Sequence, residues 1–123
     1  MRYALLMHHF EPGEGELSEE IMLEGQKAFD VYGKALHQAG VLVSADVLAP
    51  SLATTTVSRP DGELRVQDGP FAESKEALAG VFLIDVPDLD AALSWAEKCP
   101  GAQWGSVEIR PVATSFIDGG WTR

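Results

Sequence analysis

Two adjacent histidines and two aspartates are the side chains of this sequence best suited to proton transfer. His8 and His9 end an apolar run, and imidazole exchanges protons near neutral pH. Asp46 interrupts a run of small and apolar residues, where a carboxylate needs a partner or a cleft, and Asp68 opens a turn. We therefore predict all four as candidate catalytic residues. Neighbouring strand residues point to opposite sides, so at most one histidine faces a given cleft, and the alternative is a loop-edge histidine without a catalytic role.

The residues from 68 to 76, DGPFAESKE, form the most distinctive segment of the chain. An Asp-Gly pair followed by proline predicts a rigid turn through which no regular strand pairing continues. Phe71 places a large ring on this irregular segment, and Lys75 and the nearby Arg65 supply positive charge. We predict Arg65, Phe71 and Lys75 as binding residues, with Arg65 holding an anionic group of a ligand. A purely structural corner is consistent with the same pattern.

Neither a metal nor a cofactor is expected. Adjacent histidines on a strand are poorly spaced for one metal ion, and neither a cysteine nor a third histidine completes a ligand set. The sequence has no nucleophile elbow, phosphate-binding glycine loop or dinucleotide fingerprint. The single cysteine, Cys99, excludes an internal disulfide framework and is predicted to pack as a small buried side chain.

The composition predicts one acidic globular domain. Residues 1–123, 46% of them apolar, are enough to bury a core, and 113–123 are assigned to a C-terminal tail without clear periodicity that is expected to dock. A formal net charge of −10 disfavours nucleic acid and anionic membranes as partners. No apolar run approaches the roughly 20 residues of a membrane span, and no signal peptide is evident, so the cytoplasm is the expected location.

Hydrophobic periodicity predicts two helices and several short strands. The strands are expected at 2–7, 41–48, 54–59, 63–67, 79–86 and 106–111, and the helices at 18–40 and 88–100. Ser18 and Asp88 have the side chains of helix N-caps, whereas Gly40 and the Pro-Gly pair after Cys99 are expected to end the two helices. The segments 54–59 and 63–67 are expected to form a hairpin with one wet face.

Without this hairpin, the order of elements is β-α-β-β-α-β, the α+β ferredoxin-like unit. Right-handed crossovers place both helices on one face of an antiparallel sheet, with the first strand and the strand at 79–86 in its centre. Both of these strands are apolar on two sides, so the second sheet face needs a cover. We predict a homodimer that packs sheet against sheet, and the alternative is that the hairpin and the tail fold back over this face.

The segment DGPFAESKE, followed by LAGVFLIDVPDLDAALSWA, resembles the signature of the DGPF-domain proteins, a branch of the YCII-related family. The resemblance extends to AGVLVSADVLAPS at 39–51 and GSVEIRPV at 105–112. It implies a dimeric α+β barrel of ferredoxin-like subunits but no settled activity. A distant branch pairs an Asp near position 46 with a helix His, and this sequence has Gln26 and Lys27 at the corresponding helix positions instead.

Two functions are consistent with these residues. The first is a cofactor-independent enzyme in which Asp46 or Asp68 moves a proton on a small molecule, a histidine assists and Arg65 holds an anionic group. The second is a non-catalytic module that senses a ligand or binds a partner. Proteins of the resembled family occur beside, or fused to, extracytoplasmic-function sigma factors, which favours a regulatory role.

Overall fold

A computed structural model describes residues 1–12 and 17–122 of the chain. Four antiparallel strands form the main sheet in the order β2-β5-β1-β6, which is the predicted ferredoxin-like topology with β1 and β5 in the centre. In chain order the elements are β1 (Arg2–His9), α1 (Glu19–Gln38), β2 (Leu42–Val47), β3 (Thr55–Ser58), β4 (Arg65–Asp68), β5 (Ala77–Asp85), α2 (Leu89–Glu97), α3 (Gly101–Trp104), β6 (Gly105–Pro111), β7 (Phe116–Ile117) and β8 (Gly120–Trp121).

The two long helices begin at the predicted caps. The Ser18 hydroxyl accepts a hydrogen bond from the amide of Ile21 at 3.1 Å, and the Asp88 carboxylate accepts one from Ala91 at 2.9 Å. The expected end of the second helix was wrong in one respect. The Pro-Gly pair at 100–101 does not simply end the helix, because α2 finishes at Glu97 and the pair starts the short helix α3. Proline suits this position since its fixed φ is compatible with a first helical turn.

The core lies between the helices and one face of the sheet. Alternation along β1 and β5 points Leu5 and Ile84 toward the helices, where both are fully buried against a cluster that includes Tyr32 and Leu36 of α1. The Tyr32 hydroxyl donates a hydrogen bond to the carbonyl of Trp95 at 2.8 Å, which ties α1 to α2. Burial raises the pKa of Tyr32, so the phenol stays protonated and keeps this bond.

The opposite face of the sheet, called the open face below, carries no helix in the described part of the chain. Its central side chains are Ala4 and Leu6 of β1, which pair with Leu83 and Val81 of β5. All four are half-buried rather than buried, so the predicted two-sided character of the central strands is confirmed. An apolar surface of this kind is normally covered in an assembly.

The inserted hairpin and the tail each form a separate small sheet. Strands β3 and β4 pair only with each other, and all of their residues are exposed except Thr56, which is half-buried, whereas one packed face was expected. The tail, for which the sequence indicated no period, forms the hairpin β7–β8. Its rings, Phe116 and Trp121, pack edge to face at 5.2 Å and remain 60% and 68% exposed, so they contact each other instead of docking into the core.

Candidate functional site

A groove of about 930 Å³ lies where β1 ends and β5 begins, beside the DGPFAESKE segment. Three stretches line it: the end of β1, the connection after β2, and the segment that leads into β5. The lining residues are His8, Phe10, Glu11, Leu48, Ala49, Pro50, Ser51, Leu52, Ala53, Thr54, Pro70, Phe71, Ala72, Glu73, Ser74, Lys75, Glu76, Ala77 and Leu78. A second depression, on the surface of α1, is lined by Glu19, Glu20, Leu23, Glu24 and Lys27 and holds none of the predicted site residues.

Backbone hydrogen bonds fix the segment that forms one wall of the groove. Gly69 adopts φ +99, a left-handed conformation that glycine permits, and its amide donates to the carbonyl of Thr54 at 2.7 Å. The Thr56 hydroxyl donates back to the Gly69 carbonyl at 2.7 Å. Pro70 cannot donate to a strand, so the chain leaves the hairpin here and turns toward β5. The Asp-Gly-Pro pattern therefore attaches the wall to the base of the hairpin.

Glu11 fixes the opposite wall. Its carboxylate accepts hydrogen bonds from the hydroxyl of Ser51 and from the amide of Ser51, the latter at 2.8 Å. These bonds, that from the hydroxyl first, lower the pKa of Glu11 below its ordinary value of 4.5. The acid thus joins the loop after β1 to the single helical turn at 51–53 and keeps a negative charge in the groove.

His8 borders the groove and contacts an acid of the neighbouring strand. Its Nε2 atom lies 2.6 Å from Oε1 of Glu108 on β6, although the angle is outside the range of a regular hydrogen bond. The Nε2 atom is shielded from solvent, whereas the Glu108 side chain is half-exposed. Next to this pair, the Ser106 hydroxyl donates to a Glu76 carboxylate oxygen at 3.2 Å. The Glu108 carboxylate, the His8 imidazole and the groove are therefore spatial neighbours, with the imidazole between the other two.

A β-bulge in β5 lies opposite the step from Met7 to His8. Met7 pairs with Gly80, but His8 pairs with Leu78, so Ala79 is an extra residue in β5. Bulges next to functional sites commonly redirect a side chain. Here the extra residue of β5 lies beside the step from Met7, which is buried in the core, to His8, which borders the groove.

Three of the predicted site residues line the groove, namely His8, Phe71 and Lys75. His9 does not line it, and its Nδ1 lies 3.0 Å from the carbonyl oxygen of Phe10. This geometry selects His8 as the histidine that faces the cleft. Successive side chains of a strand point to opposite faces, which accounts for the difference between His8 and His9.

The remaining three predicted residues lie elsewhere. Asp46 is exposed on the open face, opposite Val81 of β5. Asp68 ends β4 and Arg65 begins it, and both are exposed on the separate hairpin. The subunit therefore does not bring Asp46, Asp68 and Arg65 together with His8 in one cleft. Asp68 lies at the base of the hairpin, next to the groove wall but not among the lining residues, and Arg65 lies farther along β4, opposite Ser58.

Glu108 was not among the predicted residues, although the sequence holds a signal for it. Val107 and Ile109 alternate with polar residues in the last strand, which places Glu108 on the face opposite the helices. The ferredoxin-like topology then pairs this strand with β1, where His8 shares that face. Combining the alternation with the topology would have found the pair. Glu11 has no such signal, because its contact with Ser51 spans 40 residues between two irregular segments.

Within residues 1–12 and 17–122, no group of three or more His, Cys, Asp and Glu side chains is arranged to hold a metal ion. Cys99 lies in the core, where its sulfur is 3.7 Å from the sulfur of Met7, as the sequence predicts. Burial raises the pKa of Cys99, which keeps the thiol protonated. Cys99 does not line the groove.

The sheet order and the one-sided helices define an α+β protein of ferredoxin-like fold. The model of the YCII-related domain matches residues 1–115. An uncharacterized protein of Rhizobium meliloti (strain 1021) is 36% identical over 115 residues, which is 92% of this chain and 93% of the relative. The chain belongs to the YCII-related family. In the part of it that the structure describes, no helix has the length and apolar character to cross a membrane.

Proposed function

We propose that the groove binds a small molecule and that His8, supported by Glu108, exchanges a proton with it without a cofactor. One observation carries this proposal: His8 lines the groove and at the same time lies 2.6 Å from the Glu108 carboxylate. A carboxylate beside an imidazole can orient the ring, and an imidazole at the wall of a groove is placed to exchange a proton with a bound molecule.

The groove supplies the binding part of the proposal. Phe71 and Lys75 offer an apolar surface and a charge, as the sequence predicts for binding residues. These roles differ from those expected from the sequence, in which Asp46 or Asp68 moves the proton and a histidine assists. Neither aspartate lines the groove, so the proposal gives proton transfer to His8 and the supporting role to Glu108. Arg65, on the far side of the hairpin, is not required.

Deuterium exchange tests proton transfer directly. Small apolar compounds that carry one polar group and an acidic C–H bond are first selected by thermal shift and then incubated with the protein in D₂O. We expect deuterium to enter the acidic position of at least one bound compound, and His8→Gln to abolish this exchange while binding persists. His9→Gln is the matched control and is expected to exchange normally. Equal exchange rates in both variants would refute the role of His8.

A non-catalytic role as a ligand-sensing or partner-binding module is the second candidate. The observation that favours it is the apolar rim of the groove, where Leu52 is 92% and Phe71 is 86% exposed. Such side chains are typical of surfaces that bind another molecule. Capture of a sigma factor by the intact chain, lost in Leu52→Asp, would support this function. Recovery of no transcription component would count against it, and binding without deuterium exchange would favour sensing over catalysis.

We also propose that the open face is the interface of a homodimer. Ala4, Leu6, Val81 and Leu83 form its apolar centre, and each of them is only half-buried in the single subunit. Two such sheets can pack face to face about 10 Å apart. The hairpin strands are almost entirely exposed, and the exposed rings of the tail contact each other, which leaves a second copy as the proposed cover.

Light scattering after size-exclusion chromatography tests the dimer. The unaltered chain is expected to elute with the mass of two copies at micromolar concentration, and a single-copy mass would refute the proposal. Val81→Asp on the open face should shift the mass to one copy. Val57→Asp, on the exposed hairpin, is the control and should leave the mass of two copies unchanged.

A further inference from the structure

We propose that the groove selects an organic cation, an amine carried on an apolar body. This inference rests on the proposed function, since it names the chemical class of the small molecule that the groove would bind. It depends on the charges that line the groove, on the apolar side chains of the lining and on the position of Arg65 in the hairpin.

The charged lining is predominantly acidic. Three carboxylates, those of Glu11, Glu73 and Glu76, face one ammonium group, that of Lys75. The whole chain carries a formal net charge of −10, so no distant excess of positive charge offsets this local field. A negative groove concentrates cations and repels anions.

One of these carboxylates is held in place. The Ser51 hydroxyl and amide both donate to Glu11, which lowers its pKa and keeps it ionised in neutral and mildly acidic solution. The same contacts fix the direction of the side chain against the helical turn at 51–53. A ligand ammonium group therefore meets a positioned charge, and less side-chain entropy is lost on binding.

The body of the ligand would contact the apolar lining. Phe10, Leu52 and Phe71 are exposed large side chains of the groove, and two of them are aromatic. Burial of a hydrocarbon body against such surfaces is favourable, and the faces of aromatic rings attract organic cations. The lining thus matches both parts of an apolar amine.

The position of Arg65 supports a cation over an anion. The sequence predicts that Arg65 holds an anionic group, but this residue begins β4, opposite Ser58, and does not line the groove. Lys75 is left as the one Lys or Arg side chain among the lining residues. An anionic ligand would have to overcome three carboxylates with a single ammonium group as its partner.

Three probes of nearly equal size separate charge from apolar contact: phenethylamine, phenethyl alcohol and hydrocinnamate. Binding to the full chain is measured by NMR titration of the backbone amides of 48–49, 51–54 and 71–78. We expect phenethylamine to bind roughly tenfold more tightly than phenethyl alcohol, with hydrocinnamate the weakest, and we expect added salt to reduce the difference because it screens charge.

Charge-removing variants locate the effect. Glu11→Gln keeps an acceptor for Ser51 and is expected to weaken phenethylamine binding several-fold while the affinity for phenethyl alcohol stays the same. Glu63→Gln, at the tip of the hairpin, is the matched control and should change neither. If hydrocinnamate or the alcohol binds as tightly as the amine, the cation inference is overturned and the groove stays a binding site. If none of the probes shifts these amides, the proposed binding function fails as well.

Discussion

The two faces of the main sheet are built from alternate residues of the same strands, yet they differ in almost every property. Leu5 faces the helices and is 0% exposed, whereas its neighbour Leu6 faces away from them and is half-buried. The His8–Glu108 pair lies on the open face, whereas the face toward the helices carries a continuous apolar cluster.

This difference separates stability from recognition within one sheet. Helices α1 and α2 cover one face and supply the packing that maintains the fold. The other face and its adjoining groove retain exposed apolar and charged groups. These groups contribute a favourable free energy of binding only when a second molecule contacts them. Substitutions on the first face should therefore affect unfolding, and those on the second should affect association and binding.

The largest expected contrast concerns access to the core. Cys99 is 2% exposed and its pKa is raised by burial, so the thiol reacts only after the chain opens. We expect alkylation of Cys99 to be at least about a thousandfold slower than in the unfolded chain, as befits a domain of ordinary stability. The double variant Cys99→Ala/Leu52→Cys places the thiol at the groove and should react without protection. Rapid alkylation of native Cys99 would contradict the packed face. The rate is obtained by quenching the alkylation at intervals, unfolding the protein and titrating the remaining free thiol with a chromogenic disulfide.

The next contrast compares neighbouring leucines of β1. Leu5→Ala is expected to lower the free energy of unfolding by about 2–5 kcal/mol, because it leaves a cavity under the helices. Leu6→Ala should cost clearly less in the dissociated subunit and should instead weaken the proposed dimer. Urea denaturation at low protein concentration measures the first effect, and light scattering measures the second. Equal costs of unfolding would show that the open face is already packed within one subunit.

A glycine at the start of β6 provides a test of how closely the strands approach near the site. An added Cβ at Gly105 would overlap the carbonyl oxygen of His8 and come within 2.8 Å of the Cβ of His9. We expect Gly105→Ala to cost about 1–3 kcal/mol and to shift the resonances of His8. Gly33→Ala, in a helical position with no atom within 4 Å, is the control and should be neutral or slightly stabilising.

The smallest effect is the pH dependence contributed by Glu11. Its folded-state pKa is lower than in the unfolded chain, so its stabilising contribution is present above the ordinary carboxylate value of 4.5 and is lost as the pH falls through the folded value. The native chain should therefore unfold at a higher temperature than Glu11→Gln at neutral pH, and this difference should shrink in acid. Because the carboxylate is solvent-accessible, the change should be small. A difference that grows on acidification would reverse the assigned direction of the shift.

Local and topological features were predictable from the sequence. The caps at Ser18 and Asp88, the turn at 68–70 and the central positions of β1 and β5 follow from short-range chemistry and strand alternation. The hairpin was predicted as well, but its exposure on both faces was not, because alternation within a strand cannot show whether anything packs against it.

The candidate site was predicted only in part. His8, Phe71 and Lys75 were expected at a cleft and do line it. Arg65 and Asp68 belong to the separate hairpin sheet, and Asp46 shares the open face with His8, but none of the three lines the groove. Residue type and position along the chain could not show which side chains reach the groove, because the groove is formed by three separate stretches.

The amino-acid sequence by itself determined where the two long helices, the strands of the main sheet and the inserted hairpin form and which strand faces are apolar, because periodicity and capping act over a few neighbouring residues. Only the tertiary structure decided that His8 meets Glu108, that Glu11 is fixed by Ser51, and that the charges around the groove are mainly negative. These contacts join residues distant in the chain, and their distances follow from strand register and a β-bulge that no local pattern specifies.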